Sequence, residues 1–214
     1  MAHLTAQDWH SLIEEHPELG ELPANLRRRA DRVVAAGGQR VFRMGEKPTR
    51  VFLVLKGEVR LLRTSRNGAE IVLQRARTGF VADASIDASR YHCDALAATD
   101  AQLLSFPIGP FRLALRNNES FRGYWMSRLA REVRQLRSQC ERLALHSATD
   151  RIEHYIESEG SNGVLEMSQT RKAWAAELGI THEALYRALA TLKRFGRLSM
   201  VERRGSLTLS LRRG

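Results

Sequence analysis

Between Thr170 and Gly196 the sequence reads TRKAWAAELGITHEALYRALATLKRFG, and no other stretch limits the fold so tightly. Two segments with apolar residues at helical spacing flank Gly179-Ile180. Trp174 and Leu178 lie before the pair, and Leu185 and Leu189 continue the pattern after Ile180, so each helix turns one face inward. Ala175 is small where the first helix would touch the second. Gly179 stands at the sharp turn, where a side chain would cost strain. Thr181 then offers its hydroxyl to the free amides that open the second helix. His182, Glu183, Tyr186 and Arg187 fall on the exposed face near the start of that helix, the place from which a helix-turn-helix meets base edges in DNA. An ordinary helical hairpin with polar outer residues has the same periodicity, so the rest of the chain must decide between them.

The charge distribution favours the nucleic-acid reading. The formal net charge is +10, but residues 1–110 carry 15 basic against 13 acidic side chains, a net of +2. Residues 167–214 carry 10 basic against 3 acidic, a net of +7, which is the asymmetry expected of a phosphate-binding surface. With 214 residues, 43% of them hydrophobic, the chain can bury the core of one large or two modest domains. Two cysteines, Cys93 and Cys140, supply neither a disulfide framework nor a cysteine zinc site. The N-terminal run lacks the basic-then-apolar pattern of an export signal. The longest strongly apolar run, Val51 to Leu55, is too short to cross a membrane. A soluble cytoplasmic protein is expected.

Elsewhere the periodicity divides the chain in order. Leu4–Glu15 and Leu22–Ala36 read as helices, the second with Arg27, Arg28 and Arg29 on its outer side and Gly37-Gly38 as its stop. From Arg40 to Phe106 short β runs (VFRM, VFLVLKG, EVRLLRT, EIVLQRA, AQLLSF) alternate with the turns GEKP, SRNG and RTG, which indicates an all-β roll or barrel. Asn67-Gly68 is a hairpin signal. Beyond Pro107 and Pro110 the pattern is helical again. Met126, Leu129, Val133, Leu136, Cys140 and Leu143 recur at alternating steps of three and four, a heptad seam that predicts a helix over 118–146 pairing in parallel with its twin. The other reading is a helix packed only on its own domain. Ser147–Asp150 reads as a hinge and N-cap, followed by a short helix ending at Gly160. Residues 197–213 read as two strands around a Glu202–Gly205 turn, with Arg203, Arg204, Arg212 and Arg213 available to phosphates. Lys172 and Lys193 are further phosphate contacts.

The run RVFRMGEKPTRVFLVLKGEVRLLRTSRNGAEIVLQRARTG, with glycines 45, 57, 68 and 79 at its turns, resembles the β-roll of the cyclic AMP receptor protein and fumarate–nitrate reduction regulator (Crp/Fnr) superfamily. The likeness continues through the long helix and the helix-turn-helix to about residue 211. It implies an α+β chain with three parts: a cyclic-nucleotide-binding-like β-roll with N-terminal helices (1–117), a dimerisation helix (118–146) and a winged helix-turn-helix (147–214). In nucleotide-binding members a Gly-Glu pair and an Arg-Ser pair hold the cyclic phosphate and ribose. Here Ala82-Asp83 and His92-Cys93 stand in those places, and Leu136 and Arg137 stand near the adenine-contacting positions of the long helix. Loss of the charge pair argues against cyclic AMP, with Arg90 the one candidate substitute.

Asp83, Arg90, His92 and Cys93 are therefore the candidate effector residues. A metal or haem site and a redox-active thiolate are open readings of His92-Cys93. Neighbours on a strand point to opposite faces, which favours a packed thiol beside a partly exposed imidazole. Cys140 on the seam offers an interchain redox switch. No HxH or HExxH arrangement, nucleophile–base pair or cluster-sized set of cysteines occurs, so no enzyme and no resident cofactor are expected. By the resemblance, the recognition helix reads a G·C-containing half-site with an Arg-Glu-x-x-x-Arg face. Glu183 and Arg187 match it, and His182 replaces the first arginine. The implied function is a homodimeric transcription regulator on a palindromic operator, with RNA polymerase as a partner and a small-molecule effector left open. The alternative is a ligand-binding or redox-sensing β-roll protein whose DNA binding needs that effector.

Overall fold

The structure, a computed structural model, describes residues 4–64, 70–81, 83–167, 170–203 and 206–212. They form two compact units, residues 1–127 and 128–214. The Asn67-Gly68 turn, Ala82, Arg204 and Arg213 lie outside the described residues, as do the side chains of Asp83 and Arg203.

Helix α1 (Ala6–Glu15) opens with a reciprocal cap. The Thr5 hydroxyl accepts from the Asp8 amide at 3.2 Å while the Asp8 carboxylate accepts from the Thr5 amide at 2.8 Å. The expected helix over Leu22–Ala36 does not form. A 3-10 turn at Pro17–Glu21 leads to one helical turn, α2 (Ala24–Arg27), and the chain then extends as β1 (Asp31–Ala35). Leu22, Leu26 and Ala30 do have helical spacing, and all three are buried. Past Ala30, however, the adjacent β-branched Val33 and Val34 join an antiparallel ladder with β8 (Ala101–Pro107), from Asp31 opposite Ser105 to Ala35 opposite Ala101. Arg27 is not simply an outer residue. Its guanidinium donates to the Leu22 and Gly20 carbonyls at 2.7 Å each.

The remaining strands of this unit are β2 (Arg40–Phe42), β3 (Arg50–Lys56), β4 (Val59–Thr64), β5 (Glu70–Ala76), β6 (Gly79–Val81) and β7 (Asp94–Ala97). With β1 and β8 they form two antiparallel four-stranded sheets, ordered β1-β8-β3-β6 and β2-β7-β4-β5. At the β3–β4 turn Gly57 has φ +89°, and a Cβ there would sit 2.3 Å from the Asp100 carbonyl oxygen, so only glycine fits. A web of rings joins the roll to α3 (Ile108–Asn117) and the start of α4 (Glu119–Ala144). Phe80, Phe106, Phe111, Phe121 and Trp125 lie with centroids 4.9–6.2 Å apart, mostly edge to face.

The second unit contains the later turns of α4, then α5 (Ala148–Glu159), β9 (Val164–Met167), α6 (Arg171–Glu177), α7 (His182–Arg194), β10 (Leu198–Arg203) and β11 (Ser206–Leu211). Its sheet runs β10-β11-β9. Strand β9 is additional to the sequence reading. It is four residues long, alternates exposed Val164 and Glu166 with buried Leu165 and Met167, and closes the core against β11. Ile152, Ile156, Trp174, Leu178, Leu185, Leu189, Leu192 and Leu209 fill that core. Among the described residues no helix is long and apolar enough to cross a membrane.

Glu58 is the roll's buried charge. Its carboxylate accepts from Arg60 Nε at 2.7 Å and Arg77 Nε at 3.2 Å. Burial pushes its pKa up, but the two guanidinium groups outweigh burial and hold it below the usual carboxylate range. A folded pKa below the unfolded value of about 4.3 contributes stability above that pH, which is lost as pH falls through the folded pKa. Urea denaturation should therefore show Glu58→Gln less stable than wild type by roughly 1–3 kcal/mol at neutral pH. The gap should narrow below about pH 4. A gap of constant size from neutral to acid pH would contradict this assignment.

Candidate nucleic-acid interface

Caps and a turn build the helix pair. The Thr170 hydroxyl accepts from the Ala173 amide at 3.2 Å and starts α6. Gly179 follows at φ +65°, and a Cβ there would press on Leu143 Cδ2 at 2.8 Å. The Thr181 hydroxyl accepts from the Ala184 amide at 3.1 Å and starts α7. With Leu185, Ala188, Leu189 and Leu192 buried, α7 turns His182, Glu183, Tyr186 and Arg187 outward, all four exposed. His182 and Tyr186 sit one helical turn apart, edge to face, with centroids 4.8 Å apart. The carboxylate of Glu183 is held below its usual range by its own backbone amide and the Thr181 hydroxyl. It is thus an ionised acceptor with lone pairs to spare for a base amine.

One contributor escaped the sequence reading. Arg171 places its guanidinium 5.6 Å from the Tyr186 ring centre, with Nη1 3.4 Å from the Tyr186 hydroxyl and Nη2 3.1 Å from Glu202 Oε2 on β10. It ties the start of α6 to the outer face of α7 and to the wing. Nothing local in the sequence marks it, since a basic residue beside Lys172 reads as a phosphate contact. Arg197 is also paired, with Glu153 Oε2 at 2.6 Å. Lys172, Arg187, Lys193 and Arg212 are the exposed cations left facing solvent among the candidates whose side chains are described.

On α4, Met126, Val133, Leu136 and Leu143 are 64%, 45%, 51% and 45% exposed, an open apolar stripe. Cys140 is exposed on it and Leu129 is half-buried. Arg142, near the end of α4, is buried. It stacks 4.3 Å over the Tyr155 ring and donates to Ser158 Oγ at 3.1 Å and Glu159 Oε1 at 2.9 Å.

Aromatic and aliphatic side chains build the core of the roll. Phe42 stacks on Tyr91 at 4.0 Å and on Phe52 at 5.9 Å, and Val54, Val59, Leu61, Val81, Cys93 and Leu103 pack around them. The Tyr91 hydroxyl donates to the Arg50 carbonyl at 3.0 Å. Arg90 is exposed, and its Nη1 donates to the Gly45 carbonyl at 2.7 Å. His92 and Cys93 do not lie on a strand, as expected, but in a bend before β7. They still diverge: His92 is exposed with Nδ1 3.3 Å from Ser85 Oγ, whereas Cys93 is 1% exposed. Among the described residues no three His, Cys, Asp or Glu side chains gather closely enough to hold a metal ion.

Residues 32–118 match the family of cyclic nucleotide-binding domains. No curated protein matches the sequence. Solved structures match nearly the whole chain. FixK2 from Bradyrhizobium japonicum has a TM-score of 0.60 at 19% identity, over 86% of this chain and 93% of that one. The c-di-GMP responsive global regulator CLP of Xanthomonas campestris gives 0.56 at 18%, over 96% and 100%. The catabolite activator protein of Thermus thermophilus gives 0.50 at 23%, over 94% and 93%. These likenesses, each under 25% identity, show a shared fold. Within that fold the roll, the long helix, the helix pair and the β10–β11 hairpin follow one another in the expected order.

Replacing Arg171 with Ala should release Glu202 and Tyr186 together. Amide hydrogen exchange along β10 should then accelerate about tenfold, the effect of losing roughly 1–1.5 kcal/mol from a half-exposed ion pair and a cation–ring contact. Unchanged protection of Ser199–Glu202 would show that the wing is held by its strand pairing alone.

Proposed function

We propose that the protein is a homodimeric, DNA-binding transcription regulator of the Crp/Fnr type that reads a palindromic operator without cyclic AMP. The carrying observation is the pair Glu183 and Arg187, exposed one turn apart on a capped helix within a segment of net charge +7. Arg187 grips guanine O6 and N7 with two donors, and Glu183 accepts from a cytosine amine. His182 adds a weaker contact, and Thr181 positions the helix. Lys172, Lys193, Arg203 and Arg204 neutralise phosphates, which gives the affinity its salt dependence. The domain limits proposed are the roll at 1–117, the dimerisation helix at 118–146 and the reader at 147–214. The protein acts in the cytoplasm and meets RNA polymerase at its promoters.

Dimerisation is supported by the exposed stripe Met126, Val133, Leu136 and Leu143, which a parallel twin helix would cover. Two heads on such a dimer address half-sites about one helical turn apart, roughly 34 Å. Independence from cyclic AMP is supported by the Phe42–Tyr91 stack in the roll and by the use of Arg90 on Gly45. Of the two thiols, Cys93 is buried, and Cys140 lies on the stripe, where a parallel twin helix would bring it opposite its own copy.

Fluorescence anisotropy with a palindromic and a scrambled duplex, at two salt concentrations, tests the reading. Arg187→Ala should weaken binding to the palindrome by roughly 1–3 kcal/mol and leave the scrambled duplex nearly unaffected. Equal losses on both would remove the base-reading role. In sedimentation equilibrium Leu136→Glu, which faces two carboxylates across the seam, should shift the dimer towards monomer by at least tenfold in dissociation constant, about 1.4 kcal/mol. Retention of the wild-type mass distribution would place the dimer contact elsewhere.

A further inference from the structure

The guanidinium of Arg151 on α5 donates to four backbone carbonyls. Nε reaches Leu145 O at 2.9 Å and Nη2 reaches Leu143 O at 3.2 Å, both at the end of α4. Nη1 reaches Leu178 O and Gly179 O, each at 3.1 Å, at the turn between α6 and α7. The last carbonyls of a helix lack partners within it and carry the negative end of its dipole. One planar, permanently charged fork thus satisfies two helix ends at once, which a lysine's single ammonium cannot do with the same geometry. Leu143 reinforces the join, because the glycine at 179 is what allows its Cδ2 to lie against the turn.

Two residues beyond that turn stands Thr181, whose hydroxyl starts the reading helix. We propose that Arg151 is a positioning residue that couples the end of the long helix to the recognition helix. A displacement of residues 143–145 is carried through its guanidinium to Leu178 and Gly179, and from there to the first turn of α7. Arg151 itself touches no base. The inference rests on the DNA-reading function proposed above, and it places the regulatory input at the last turn of the dimerisation helix.

The experiment compares wild type with Arg151→Gln and Arg151→Lys, each first checked for an intact melting transition above the assay temperature and for an unchanged dimer. Anisotropy then gives the ratio of palindromic to scrambled affinity, and hydrogen exchange reports the amides of residues 178–182 in the absence of DNA. The expected result for the Gln variant is a ratio lowered about tenfold with scrambled affinity retained, together with faster exchange at 178–182. The Lys variant, which keeps the charge but not the fork, should fall between the two. A Gln variant whose ratio stays within about twofold of wild type overturns the proposal. So does a parallel loss on both duplexes that tracks lowered melting, which is what a merely structural role would give. Wild-type protein with no preference for a palindrome would instead overturn the reading function. Hydrogen exchange would then decide the coupling alone, with acceleration at 178–182 supporting it and unchanged protection overturning it.

Discussion

The second unit depends on how the ends of its helices are satisfied. Helix α6 is only 7 residues long, so most of its amides and carbonyls are end groups without a partner inside the helix. A helix that short does not persist on its own propensity. It exists here because Thr170 accepts from an amide at its start, Arg151 takes carbonyls just past its end and Trp174 anchors its inner face. The same device recurs in Ser147 before α5 and Thr181 before α7, whose hydroxyls accept from Asp150 and Ala184 at 3.0 and 3.1 Å. Three hydroxyls and one guanidinium therefore set the angles at which the helices of the second unit meet.

In the roll, Arg90 faces outward while aromatic rings stack in the core. A cyclic phosphate inside a β-roll needs an arginine beside it, and without that anion an inward guanidinium would be a buried, unpaired charge. This chain puts Arg90 outside on the Gly45 carbonyl and builds the core with the stacked rings of Phe42, Tyr91 and Phe52. Tyr91 stands next to the substituted His92-Cys93 pair. Those three rings belong to the roll's core, and a second web of rings anchors α3 and the first turns of α4 to the roll.

Legibility in the sequence follows the range of the interactions involved. The helix-turn-helix was readable because its determinants are local: apolar spacing, a turn glycine and a capping threonine within 27 residues. The exposed stripe on α4 was readable for the same reason. Strand β1 was not, because Leu22, Leu26 and Ala30 keep helical spacing up to the point where pairing with β8, some seventy residues on, takes over. Strand β9 was missed because four residues are too few to show a period against the turn that precedes them. Arginine roles were the least legible. Arg142, Arg151 and Arg171 look alike on the chain, yet one is buried over Tyr155, one bridges two helix ends and one braces the wing. Their long side chains choose partners 6 to 31 residues away, and only the tertiary arrangement fixes which.

Leu143 is where the two halves of the proposed mechanism meet. As the last position of the seam it remains 45% exposed, open to a twin helix, while its Cδ2 already lies against Gly179. A side chain at 179 would separate the two and would also strain a backbone at φ +65°, so the turn glycine serves both the local bend and the close approach of the long helix. With no side chain between them to absorb a shift, and with the Arg151 fork fixing the carbonyls on both sides, pressure on Leu143 has few routes other than into the turn. In the proposed dimer, closure of the last seam turn and orientation of the reading helix are then consequences of one contact.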